Sequence, residues 1–142
     1  MKQLPVILLA LVFLVAKCRS EKSEFKCRRD FKTEDKNCFL PCTFKIYHFI
    51  DNKFRIERKN IENYKKFLTD YKTLKPHVGD NDLEKHLLDC WDKFQKSTEP
   101  SSTRTEKCEK VNNFERCVID KNILDYPIYF NALKKINFIT NV

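Results

Sequence analysis

Six cysteines, three histidines and a run of lysines and arginines are the residues whose chemistry the sequence singles out. The cysteines at Cys27, Cys38, Cys42, Cys90, Cys108 and Cys117 follow a short N-terminal apolar stretch that carries a seventh, Cys18. Structural zinc asks for close Cys-x-x-Cys or Cys–His pairs. Cys38 and Cys42 are four residues apart on a predicted helix, and the others are scattered, so no metal is expected. His48, His77 and His86 have no serine, carboxylate or thiol at a recognised catalytic spacing. Asp80 and Asp82 lie near a predicted helix start and read as capping groups. Six cysteines in a secreted chain form disulfides, which leaves no thiol nucleophile. The chain is therefore expected to be non-enzymatic, with no cofactor.

The start of the sequence supports that setting. Lys2 precedes an apolar run from Leu4 to Val15, and Lys17, Cys18, Arg19 and Ser20 follow. The run is too short to span a bilayer and has the layout of a signal peptide over residues 1–20. Cleavage after Ser20 removes Cys18 and leaves an even number of cysteines. No second run reaches membrane length, so secretion is expected and a membrane anchor is not. Residues 21–142 then form one domain. No Asn-x-Ser/Thr acceptor for N-glycosylation occurs.

The elements that must position these groups are helical. The sequence contains one glycine and twelve phenylalanines, and such aromatic side chains supply a large buried area. Hydrophobic periodicity predicts about six helices, packed as an all-α bundle stapled by three disulfides. The first runs from about 24 to 36, with Cys27 and Phe31 on one face. A second starts near Cys38, with Pro41 in its first turn and a stripe of Cys38, Cys42 and Ile46 beside Phe39 and Phe49. The third covers about 57–71 and turns Ile61, Tyr64, Phe67, Leu68 and Tyr71 inward. Gly79 marks an expected strained turn. A fourth helix, capped by Asp80 or Asn81, carries Leu83, Leu87, Cys90, Trp91 and Phe94. After a loop at 97–102, Thr103 and Glu106 fit a capping box for a fifth helix with Cys108, Val111, Phe114, Cys117 and Val118. The last spans about 126–136, with Tyr129, Phe130, Leu133 and Ile136 on its buried side. Strand-like alternation is confined to Phe54–Ile56.

Charge is uneven along this scaffold. Residues 21–75 hold 15 basic and 9 acidic groups, whereas residues 76–142 hold 10 and 11. On the third helix Arg58, Lys59, Lys65, Lys66 and Lys72 oppose the apolar face, joined by Arg55 and flanked by Lys53 and Lys75. Glu62 is the one acidic member. Such an array suits a flexible polyanion such as heparin, dextran sulfate, polyphosphate or nucleic acid, bound through release of counterions. No reading motif for specific nucleic-acid sequences is present. A second cluster, Lys26, Arg28, Arg29, Lys32 and Lys36, places Arg28, Lys32 and Lys36 on one face. The plainer role of both is a solvated, soluble surface. The aromatics Tyr47, Phe49, Tyr64, Phe67, Trp91, Phe94, Phe114, Tyr129 and Phe130 fit a filled core, and as an alternative the lining of a pocket for a small host mediator such as an eicosanoid or amine.

The spacing Cys27, Cys38-x3-Cys42, Cys90, Cys108-x8-Cys117 resembles the framework of insect odorant-binding proteins. The first gap is shorter here and the Cys90–Cys108 gap longer. With Leu40-Pro41-Cys42, the aromatics Phe44, Tyr47 and Phe49, Leu87-Leu88-Asp89-Cys90 and Phe114-Glu115-Arg116-Cys117-Val118, the chain resembles the small salivary proteins of blood-feeding sand flies over nearly its whole mature length. The resemblance implies the pairs Cys27–Cys42, Cys38–Cys108 and Cys90–Cys117 and secretion in saliva. It also implies inhibition of contact-pathway coagulation through anionic polysaccharides, polyphosphate or other anionic host surfaces.

Overall fold

The computed structural model describes residues 27, 36–97, 103–120 and 122–139, with side chains to residue 136. The predicted signal peptide and helix at 24–36, with Lys26, Arg28, Arg29 and Lys32, lie outside the described residues apart from Cys27 and Lys36.

A 3-10 turn, Lys36–Cys38, leads into α1, Phe39–Ile46. Four longer helices follow: α2, Arg58–Asp70; α3, Asp80–Lys96; α4, Arg104–Val118; and α5, Tyr126–Ile139. They form an all-helical bundle with three disulfides, and among the described residues the extended contacts amount to one isolated bridge, Leu74 with Leu124. Phe54–Ile56 is not a strand. The disulfides join Cys27 to Cys42, Cys38 to Cys108 and Cys90 to Cys117. α4 thus carries two of the six half-cystines, bonded to the turn before α1 and to α3.

Helix ends follow local chemistry. Thr103 accepts from the Glu106 amide, and the Glu106 carboxylate accepts from the Thr103 amide at 2.7 Å, closing the capping box of α4. Gly79 caps α3 in place of Asp80 or Asn81. Its backbone is extended, at φ −86°, and its N–H donates to Asp82. The strained-turn expectation is therefore misplaced. The left-handed positions are His48, Phe54 and Lys72, at φ 60°, 63° and 52°.

Two of these close helices. After α1, His48 N–H donates to Lys45 O and Phe49 N–H to Phe44 O; after α2, Lys72 N–H donates to Thr69 O and Thr73 N–H to Leu68 O. Both are Schellman motifs, with a non-glycine where glycine fits without strain. The His48 side chain is exposed, so His48→Gly should stabilise. Relief of left-handed strain slightly exceeds the added freedom of the unfolded chain, for a net gain of about 1 kcal/mol or less. A denaturant midpoint that falls would contradict this.

The core is aromatic, as the composition requires. Phe44, Phe49, Tyr64, Phe67, Phe94, Phe114 and Tyr129 are buried. Phe49 lies 4.7 Å from Tyr64 and 5.3 Å from Phe67, centroid to centroid. On α1 the buried residues are Pro41, Thr43 and Phe44, whereas Cys42 and Ile46 are only partly covered. The stripe is rotated from the expected one because Cys42 turns toward Cys27. On α5, Tyr129, Ala132 and Ile136 are buried and Phe130 is 40 % exposed, not inward. One residue step rotates a side chain by about 100°, and Tyr129 occupies the inward direction.

Candidate functional site

α2 presents its apolar face to the core and its basic face outward. Ile61, Tyr64, Phe67 and Leu68 are buried, which commits Arg58, Lys59, Lys65 and Lys66 to the other side. Asn60, a polar residue unremarked in the pattern, is also buried. Its Oδ1 accepts from the Glu57 amide at 2.9 Å and its Nδ2 donates to His48 O at 2.7 Å. It thereby fixes the start of α2 to the end of α1.

The basic face is not a bare cationic stripe. Arg55 pairs with Asp51 at 2.7 Å and Glu57 at 3.3 Å, and Lys59 reaches Glu57 at 3.1 Å. Arg58 contacts Glu62 at 3.5 Å and Glu84 at 3.2 Å, while Lys65 donates to Glu84 at 2.9 Å. Lys66 pairs with Asp70 at 2.8 Å. Each of these five cations has an acidic neighbour, where the helical wheel showed Glu62 alone. Glu84 belongs to α3, and packing alone brings it to α2.

The pairs leave electrostatic traces. The Lys65 hydrogen bond and charge, with Arg58 behind them, hold the Glu84 carboxyl below its ordinary range. Burial raises the Asp51 carboxyl, but hydrogen bonds from Arg55 and Lys53 outweigh it and hold the group low. Most of these partners are solvent-exposed, and such ion pairs contribute ~0–1 kcal/mol each.

Lys36, Lys45, Lys53, Lys72 and Lys75 form no salt bridge among the described residues. The Lys45 ammonium sits 3.3 Å from the Phe54 ring centre. Burial first, and the Arg104 charge second, lower its pKa.

A further polar group escaped the sequence reading. Tyr64 and Tyr129, both buried, share a 2.7 Å hydrogen bond, and Tyr129 Oη donates to Glu115 Oε1 at 3.1 Å. This thread joins α2, α5 and α4 inside the aromatic core. Burial pushes the Glu115 carboxyl up to about 7, against the Tyr129 hydrogen bond and the Arg116 charge. Burial likewise raises both tyrosines well above their ordinary value. A lone glutamate between Phe114 and Arg116 gives no periodic sign of such a role.

The buried aromatic rings contact one another, Phe44, Phe49, Tyr64 and Phe67 forming a continuous cluster. Trp91, half-buried, donates its indole N–H to Ile56 O at 2.7 Å. A surface cleft of about 400 Å³ lies between α3 and α4, with Phe94, Phe114 and the Cys90–Cys117 bridge among its walls and Lys93 and Lys110 beside them. Among the described residues no group of three or more His, Cys, Asp or Glu side chains is placed to hold a metal ion. His86 Nε2 lies 3.2 Å from Val118 O, a packing contact.

Comparison with known proteins adds the decisive observation. Salivary protein 15b of Phlebotomus duboscqi is 28 % identical over 136 residues, an alignment covering 94 % of each chain. The chain is homologous to a sand-fly salivary protein. No protein-family model matches it. The near-complete overlap excludes a shared fragment as the origin of the likeness. The likeness is to that salivary protein, and three bridges make this chain a small, disulfide-stabilised protein. No helix among the described residues is long and apolar enough to cross a membrane.

Proposed function

We propose that residues 21–142, released from a signal peptide at 1–20, act as a non-enzymatic binding protein in saliva. In this reading it occupies anionic polysaccharides, polyphosphate or other anionic host surfaces and so interrupts contact-pathway coagulation, which assembles on them. The observation that carries this reading is the charge of residues 36–75, where ten basic groups stand against four acidic ones. Pairing offsets the α2 array, whereas the lysines at 36, 45, 53, 72 and 75 form no salt bridge among the described residues. Binding is non-covalent and driven largely by counterion release. The salt bridges of α2 act as exchangeable partners, since a polymer of high charge density displaces an exposed carboxylate at small cost.

Heparin affinity chromatography tests the proposal. Substituting Lys53→Gln, Lys72→Gln and Lys75→Gln together should lower the elution salt. The slope of log K against log salt should fall by about two, taking ~0.7 per contact as for flexible single strands. Glu84→Gln should act in the opposite sense, because it frees Arg58 and Lys65. Identical elution of wild type and both variants would reject the reading.

A second reading, a carrier of a small hydrophobic or amine host mediator, is supported by the cleft between α3 and α4. Titration calorimetry with an eicosanoid and with a biogenic amine separates the two. Stoichiometric uptake without heparin retention would favour the carrier.

A further inference from the structure

The Cys90–Cys117 bridge differs from the other two in where it sits. Both of its half-cystines border the cleft of about 400 Å³ between α3 and α4, and no half of the other bridges does. Cys38 and Cys108 are buried. Within the Cys90–Cys117 bridge the two ends are unequal. Cys90 is 2 % exposed, whereas Cys117 is half-buried. A thiol entering the cleft therefore meets Cys117 first.

The sulfur that would leave has a polar neighbour. His86 stands one turn before Cys90 on α3, with Nε2 3.9 Å from Cys90 Sγ and 3.2 Å from Val118 O. A carbonyl oxygen only accepts, so the contact with Val118 places the proton on Nε2. The same N–H borders the Cys90 sulfur. Burial opposes a negative sulfur there, and an adjacent donor offsets part of that cost.

The rim of the cleft is charged. Lys93 from α3 and Lys110 from α4 line it together with Glu106 and Glu109. Glu106 is occupied by the α4 cap, accepting from the Thr103 amide at 2.7 Å. Lys93, Lys110 and Glu109 form no salt bridge among the described residues. Two such cations and one such carboxylate complement a thiol that carries two carboxylates and an ammonium.

We propose that Cys90–Cys117 is an exchangeable disulfide, opened in the cleft by a small anionic thiol of the glutathione type, with Cys117 attacked and His86 stabilising the departing Cys90 sulfur. The thiol reacts as its thiolate, its proton having passed to water. Its sulfur bonds to Cys117 Sγ as the Cys90–Cys117 bond breaks, and the electron pair leaves on Cys90 Sγ. One disulfide is made for each one broken, so no oxidant is needed. A second thiolate then removes the first as its own disulfide and leaves Cys90 and Cys117 reduced. Either product releases α4 from α3, while Cys38–Cys108 still ties α4 to the turn before α1. None of the α2 lysines takes part, so exchange and polymer binding stand or fall separately.

Reduced glutathione added to the mature chain near neutral pH, followed by acid quench, alkylation and peptide mass spectrometry, tests the inference. The adduct should appear on Cys117 with Cys90 alkylated, about 10-fold or more faster than Cys38–Cys108 opens. Lys93→Gln with Lys110→Gln should slow glutathione by about 5-fold, and 2-mercaptoethanol, which has no carboxylate, by less than about 2-fold. His86→Met, which lacks the donor, should slow both thiols by about 5-fold, and His86→Gln, which keeps an N–H, should restore most of the rate. A variant that merely loosens the fold would speed exchange at every bridge, so slowing is a distinct signature. Earlier opening of either other bridge overturns the inference, as does an adduct on Cys90 or a chain in which no bridge opens. It is also overturned if His86→Met fails to slow exchange, or if the lysine variant treats the two thiols alike.

Discussion

Replacing Cys38 and Cys108 by alanine should cost about 4 kcal/mol, the largest loss expected from any one bridge. The two residues are 70 apart in sequence. A cross-link restricts the unfolded chain more as its loop lengthens, and the chain-entropy relation gives about 4 kcal/mol for this loop. The same relation gives about 3 kcal/mol for Cys27–Cys42 and about 3.5 kcal/mol for Cys90–Cys117, whose separations are 15 and 27. Both sulfurs of the long bridge are buried, so the paired alanines also remove core contacts. With a urea slope of about 2 kcal/mol per molar, the midpoint should fall by about 2 M. Urea denaturation of the three double-alanine variants checks the order. A smaller shift for Cys38/Cys108 than for Cys27/Cys42 would show that the entropic argument fails here.

The second large effect is a dependence on pH set by Glu115. Its carboxyl is raised by burial to about 7 in the folded chain, and an unfolded glutamate titrates near 4.3. Between these values the unfolded state has released its proton and the folded state has kept it. The unfolded state binds fewer protons, so stability falls as pH rises through the window, by on the order of 3 kcal/mol. Below about pH 4 and above about pH 8 this group adds no slope. The groups facing it are Tyr129 from α5, with Tyr64 of α2 behind, and Arg116 of its own helix.

Glu115→Gln keeps an oxygen for the Tyr129 hydroxyl and removes the titration. The variant should melt on the order of 10 °C above wild type at pH 8 and near it at pH 4.5. Parallel melting curves at both pH values would show that Glu115 titrates normally.

Much of this architecture was legible because helices write a period into the sequence. The inward face of α2, the capping box of α4 and the positions of Pro41 and Pro127 near helix starts follow from rules acting over four residues or fewer. The chirality of helix ends is less legible. His48 and Lys72 take left-handed conformations that glycine would mark, and the chain's one glycine sits elsewhere in extended form. Pairing across the bundle leaves no local trace. Glu84 neutralises Arg58 and Lys65 from another helix, and Glu115 meets Tyr129 only once α4 and α5 dock. The wheel that gathered the α2 lysines was sound, but it could not see the carboxylates brought to them. The surface of α5 differs for a related reason: aromatic character predicts burial, but Phe130 is 40 % exposed.

α4 is a covalent hub. Its two half-cystines hold the segment around Cys38 and the segment around Cys90, which are separate stretches of chain. A backbone cut anywhere between Cys42 and Cys90, and another between Cys90 and Cys108, would leave three pieces that remain one molecule. Nicked material should therefore migrate as an intact species without reductant and fall apart once reduced. Cleavage in the exposed segments can in this way break peptide bonds while the bundle stays covalently joined.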